Sequence, residues 1–127
     1  MDCCTPDADL RADRDFDLVI IGSGSAAFAA VIAAREAGRS VAMVEEGTLG
    51  GTCVNVGCVP SKFFIRAAEL QHQAAGSAFR GLRTNADPPD QRALVQQKRA
   101  LVESLRTAKY SSVLESYAPV ALIAGRG

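Results

Sequence analysis

Excess charge is absent from this sequence: 14 lysines and arginines balance 14 aspartates and glutamates over 127 residues. No nucleic acid and no anionic membrane surface is therefore expected as a partner. Long apolar runs are missing too. The longest, around Ala26 to Ala34, is too short to span a bilayer and is followed by Arg35 and Glu36. The N-terminus lacks a basic-then-apolar pattern, so export is not expected and a cytoplasmic setting is. Histidine is nearly absent. His72 stands alone with no partner in sight, which makes it a solvated helix residue rather than a catalytic base. Internal repeats are lacking, and so is any C-x-x-C pair that would suggest a zinc site or a thioredoxin-type motif.

What is present is more specific. Gly50-Gly51-Thr52-Cys53-Val54-Asn55-Val56-Gly57-Cys58-Val59-Pro60-Ser61-Lys62 places two cysteines five positions apart among glycines and a proline. Along a straight helix such a step rises about 7.5 Å and turns the side chains to different faces. A bridge would need a bent backbone, which Gly57 and Pro60 could supply. Four cysteines in a chain without an export pattern argue for redox or metal work rather than a disulfide framework. The pair Cys53 and Cys58 reads as a redox-active dithiol.

Just upstream, the apolar run Phe16 to Ile21 leads into Gly22-Ser23-Gly24-Ser25-Ala26-Ala27, a G-x-G-x-x-A dinucleotide fingerprint. Gly22 permits the tight turn, Gly24 lets backbone approach a pyrophosphate, and Ala27 keeps helix and sheet close. The stretch Ala26 to Ala37 reads as a helix stopped by Gly38. Ser40 to Val44 reads as a second buried strand ending in Glu45, 21 residues beyond Gly24, where a carboxylate binds ribose hydroxyls.

The remaining chain is organised more loosely. Residues 1–15 read as a flexible tail carrying the adjacent Cys3 and Cys4, and residues 16–127 as a dinucleotide-binding unit with the dithiol. A helix is expected from Ser61 to about Gln73, with Pro60 in its first turn. Residues 76–90 read as loop. A long helix is expected from about Asp90 to Tyr117, its apolar stripe formed by Leu94, Leu101, Leu105 and Ala108. A third strand should follow near 120–124. The fold class is thus α/β, Rossmann-like, with the first two strands parallel and joined by a right-handed crossover.

Together these motifs resemble the pyridine nucleotide–disulfide oxidoreductases. The thirteen residues from Gly50 to Lys62 resemble that family's active site, and Gly22 to Ala30 its fingerprint. The likeness is nearest to the mercury-reducing branch, to which Gly47 to Cys53 and Leu101 to Tyr110 are also similar. It implies FAD in this first fold, with Gly22, Gly24 and Ala27 at the pyrophosphate and Glu45 at the adenosine ribose. Gly47, Gly51 and Thr52 would approach the cofactor from neighbouring loops. By the same resemblance Cys58 is the thiol against the flavin, Cys53 the outer thiol that meets substrate, and Lys62 the cation near the ring. The implied reaction takes electrons from NADPH to Hg(II), held transiently by Cys53 and Cys58 and released as Hg(0), in a homodimer.

No second fingerprint for NADPH follows, and the C-terminal cysteine pair of the mercury-reducing branch is missing. The chain is accordingly expected to be the N-terminal part of such a flavoprotein, not catalytically complete alone. Two other readings compete. One is a relative of dihydrolipoyl dehydrogenase or glutathione reductase. The other is a thiol metal-binding module using Cys3, Cys4, Cys53 and Cys58 without flavin, which would leave the fingerprint without a purpose.

Overall fold

The apolar run Leu18–Ile21 forms strand β1, since its β-branched Val19, Ile20 and Ile21 favour a pleated backbone. In this computed structural model, which describes residues 15–127, β1 leads through the fingerprint into helix α1, Ser25–Glu36. Alanine dominates that helix, and alanine gives up no side-chain entropy on becoming helical. The helix ends as expected. Gly38 takes a left-handed φ of 73° and its N–H closes on Arg35 O at 3.0 Å. Strand β2, Val41–Glu45, follows and lies parallel to β1, with Leu18 opposite Val41 and Ile21 opposite Val44. Strand β3, Ala121–Ala124, pairs parallel to the other edge of β2, so the order is β1-β2-β3.

Between β2 and β3 lie helices, interrupted by the non-helical stretch expected at 76–90. Helix α2 is one short turn, Gly51–Asn55; helix α3 spans Cys58–Ala75; helix α4 spans Gln91–Arg106. A π-helical turn, Thr107–Ser111, continues α4 into helix α5, Ser112–Ser116. The expected long helix is therefore continuous in space. Asp90 caps it by accepting a hydrogen bond from Ala93 N at 3.0 Å. One boundary needs correcting. The segment before Cys58 holds a short helical turn of its own, and α3 begins at Cys58, three residues earlier than Ser61. The leader and its Cys3 and Cys4 lie outside the described residues.

The core gathers Phe28 and Val31 of α1, Val41 and Met43 of β2, Val54 of α2 and Tyr110. The stripe assigned to the long helix is also shifted. Leu101 stays 38% exposed, whereas Val102 and Tyr110 fall to 8% and 6%. A π turn adds a residue to the helical circuit, which brings Tyr110 onto the side begun by Val102. Its ring meets Phe28 edge-on at 4.8 Å, a favoured aromatic arrangement.

Candidate redox and nucleotide site

The fingerprint, the end of β2 and the start of the dithiol segment meet at the carboxyl ends of the strands. Gly22 donates to Val44 O at 2.7 Å and has φ 94°, a conformation that favours glycine. Ser23 follows, 1% exposed. Its hydroxyl donates to Glu45 Oε2 and accepts from Gly50 N at 3.1 Å. Glu45 Oε1 accepts from Gly47 N at 2.8 Å. These bonds, that from Ser23 foremost and then that from Gly47, hold the Glu45 carboxyl below its ordinary range. One buried serine thus ties the fingerprint, the end of β2 and the approach to the dithiol together.

The fingerprint leaves room for a ligand. A Cβ built on Gly22 or Gly24 would meet nothing within 4 Å. Gly24 caps α1 without any side-chain hydrogen bond, so the helix N-terminus is open to an anion. Beside it a cleft of about 280 Å³ is lined by Gly22, Val44, Glu45, Glu46 and Gly125, at the place where open α/β sheets take their ligands. Larger clefts, of about 510 and 570 Å³, lie along α3 and α4, but Phe63, Phe64, Ala67, Leu70 and Leu94 make their walls apolar. Ala27 packs half-buried against the core, as helix–sheet closeness requires.

Gly51 does something the motif alone did not indicate. A Cβ there would stand 2.8 Å from Gly24 Cα, and its φ is 69°. The dithiol segment and the fingerprint touch backbone to backbone through two glycines. Thr52, next in α2, is exposed, and Gly47 is exposed on the loop after β2.

The dithiol geometry follows from Gly57. Both Val56 N and Gly57 N donate to Thr52 O, at 3.0 and 2.7 Å, closing α2. A Cβ on Gly57 would lie 3.0 Å from Thr52 O and 3.4 Å from Cys53 Cα, so the start of α3 folds back against α2. Cys53 and Cys58 are both free thiols and both exposed. Hydrogen bonding with Cys58 pushes the Cys53 thiol up, with burial and repulsion from Cys58 adding to it, while Lys109 pulls the other way. Lys62 is exposed on the second turn of α3.

Sequence reasoning missed the supports of this site. Asn55 donates from Nδ2 to Thr48 O, Leu49 O and Gly51 O at 3.1, 3.0 and 2.9 Å. Its Oδ1 accepts from Arg106 Nη1 at 3.1 Å. Tyr110 Oη lies 3.0 Å from Ser25 Oγ. No sequence signal pairs residues 51 and 85 positions apart, though Asn55 stood inside the quoted motif. Among the described residues no group of three or more His, Cys, Asp or Glu could hold a metal ion. No helix among them is long and apolar enough to cross a membrane.

Comparison with known proteins gives a consistent picture. Residues 16–123 match the family model described as pyridine nucleotide-disulphide oxidoreductase. A mercuric reductase of Staphylococcus aureus is 51% identical over 109 residues, covering 86% of this chain and 20% of its own length. One of Streptomyces lividans is 54% identical over 109 residues, covering 85% of this chain and 23% of its own. Among solved structures, the Cu(II) complex of an HOCl-induced flavoprotein disulfide reductase from Escherichia coli superposes with a TM-score of 0.68. It shares 27% identity and covers 87% of this chain and 22% of that one. The chain thus spans 20 to 23% of the length of these relatives.

Proposed function

Since the chain belongs to the pyridine nucleotide–disulphide oxidoreductase family, we propose that it is the flavin-binding and dithiol-bearing portion of a mercury(II) reductase. The observation that carries this is the junction of an open fingerprint with the dithiol segment, Gly51 against Gly24, with Gly57 folding the start of α3 back toward Cys53. FAD, when bound, would supply a two-electron relay between NADPH and the dithiol. Gly22 and Gly24 would admit its pyrophosphate at the α1 N-terminus. Ala27 would keep that helix against the sheet, and Glu45 would receive ribose hydroxyls. Gly47 and Thr52 would line the approach. Gly51 would act through its contact with Gly24. Cys58, Lys62 and the start of α3 would face the flavin, leaving Cys53 outermost.

Hg(II) is the substrate under this reading. A soft cation prefers thiolates over nitrogen or oxygen donors, and Cys53 and Cys58 would supply two of them. The electron balance closes. Two thiolate sulfurs lose two electrons as their S–S bond forms, and Hg(II) gains two to become Hg(0). Identities of 51 and 54% with mercuric reductases, against 27% with a disulfide reductase, favour mercury over a disulfide substrate. The reading includes NADPH as donor, a homodimer and a cytoplasmic setting.

The test uses the reduced chain with Cys3 and Cys4 replaced by serine. It should bind one Hg(II), and Cys53→Ser or Cys58→Ser should each lose that tight binding. FAD should bind with a change in flavin fluorescence that Gly24→Val abolishes. A chain that ignores FAD and binds Hg(II) equally well without Cys53 would sink the proposal.

A further inference from the structure

Helix α2 has five residues, too few to persist unaided, yet with the Gly57 turn it sets where Cys53 stands relative to Cys58. Its retention depends on Asn55. The three carbonyls around the Asn55 amide only accept, and the Arg106 guanidinium only donates. The amide can satisfy both sides in one orientation only, Nδ2 toward Thr48, Leu49 and Gly51, Oδ1 toward Arg106. Arg106 is itself only 24% exposed and is held from its other side by the Glu103 carboxylate. A path of polar contacts therefore runs from α4 through Arg106 and Asn55 to the residues on which Cys53 is mounted.

We infer that Arg106 is a positioning residue for the dithiol: through Asn55 it fixes α2 so that Cys53 meets Cys58 at the separation needed to open and close as a pair. The inference rests on the reading of Cys53 and Cys58 as an exchanging dithiol. Exchange with oxidised glutathione reports it without mercury or flavin. Cys53 attacks one glutathione sulfur and releases the first reduced glutathione. Cys58 then attacks the mixed disulfide and releases the second, the two thiol protons leaving with the glutathione sulfurs. The equilibrium constant measures how well the fold presents the two sulfurs to each other.

The experiment places the full chain in glutathione buffers, traps free thiols by alkylation and maps the Cys53–Cys58 disulfide by peptide mass. Arg106→Met should lower the exchange constant roughly tenfold, as expected for losing a charge-assisted hydrogen bond in a partly buried setting. Asn55→Asp, which still accepts from Arg106 but cannot donate to the carbonyls, should lower it similarly. Arg35→Met is the control. Arg35 donates to Tyr117 O and Arg39 O at 3.1 and 2.8 Å, remote in sequence from the dithiol, and its loss should lower the urea midpoint without moving the exchange constant. An Arg106→Met constant within twofold of the parent, or an equal fall in Arg35→Met, would overturn the positioning role. A parent chain that forms no Cys53–Cys58 disulfide would overturn the dithiol reading beneath it as well.

Discussion

Replacing Gly51 by alanine separates two roles that one glycine can have near a nucleotide. If Gly51 merely leaves space for a cofactor, alanine should fold normally and bind FAD poorly. The structure says otherwise. The new methyl would stand 2.8 Å from Gly24 Cα and 3.2 Å from Gly24 N. These are backbone atoms of a turn held by the Ser23 bonds to Glu45 and Gly50, so they cannot swing aside as a side chain would. The φ of 69° adds about 1 kcal/mol of left-handed strain for a residue with a Cβ. Overpacking in a well-fitted contact costs about 1–3 kcal/mol more. The sum, about 2–4 kcal/mol, is a large share of the roughly 5–15 kcal/mol that holds a domain folded. The assay is urea unfolding followed by circular dichroism without cofactor, with Gly24→Ala as comparison. Gly24 has φ −76° and open space beyond its Cα, so Gly24→Ala should unfold within about 0.5–1 kcal/mol of the parent. Gly51→Ala equal in stability to Gly24→Ala would refute the reasoning.

Other outcomes follow from the same contacts. Ser23→Ala should cost about 1–3 kcal/mol in urea unfolding, because the Gly50 N–H loses its acceptor in a buried position. Tyr110→Ala should cost about 3–5 kcal/mol by emptying a core position against Phe28, whereas Tyr110→Phe, which loses only the Ser25 partner, should cost about 0.5–1.5 kcal/mol. Glu45 gives a pH signature. Its folded pKa lies below its unfolded value near 4.5, so its contribution is complete above that value and is lost as pH falls through the folded pKa. Thermal melts from pH 7 down to pH 3 should therefore show less acid destabilisation in Glu45→Gln than in the parent, and parallel curves would count against the Ser23 and Gly47 bonds.

Much of the first half of the fold could be read directly from residue order. Strand β1, the fingerprint turn, α1 with its Gly38 stop, and β2 ending in Glu45 are local features, set by β-branched runs, alanine content and the one residue type that accepts positive φ. The long C-terminal helix and β3 were legible for the same reason, as periodic apolar segments bounded by Asp90 and by Pro119. Helix α2 was not. A five-residue turn made of Gly, Thr, Cys, Val and Asn has little helical propensity of its own, and it is held by Asn55, Arg106 and the glycine contact with the fingerprint.

Residue types and spacing also identified Cys53, Cys58, Gly22, Gly24 and Glu45 as candidates, since their chemistry is written in the motif. Their mutual arrangement depended on contacts no spacing encodes. Ser23 carries no role in the fingerprint pattern, and only packing places its hydroxyl between Glu45 and Gly50. Lys109 and Tyr110 belonged to a helix whose apolar stripe pointed elsewhere, until an extra residue in its π turn brought Tyr110 into the core beside Phe28. Local propensity acts over a few residues and is carried by the chain itself. Which side chain meets which across 51 or 85 positions is decided only when helices and sheet pack and each buried polar group must find a partner.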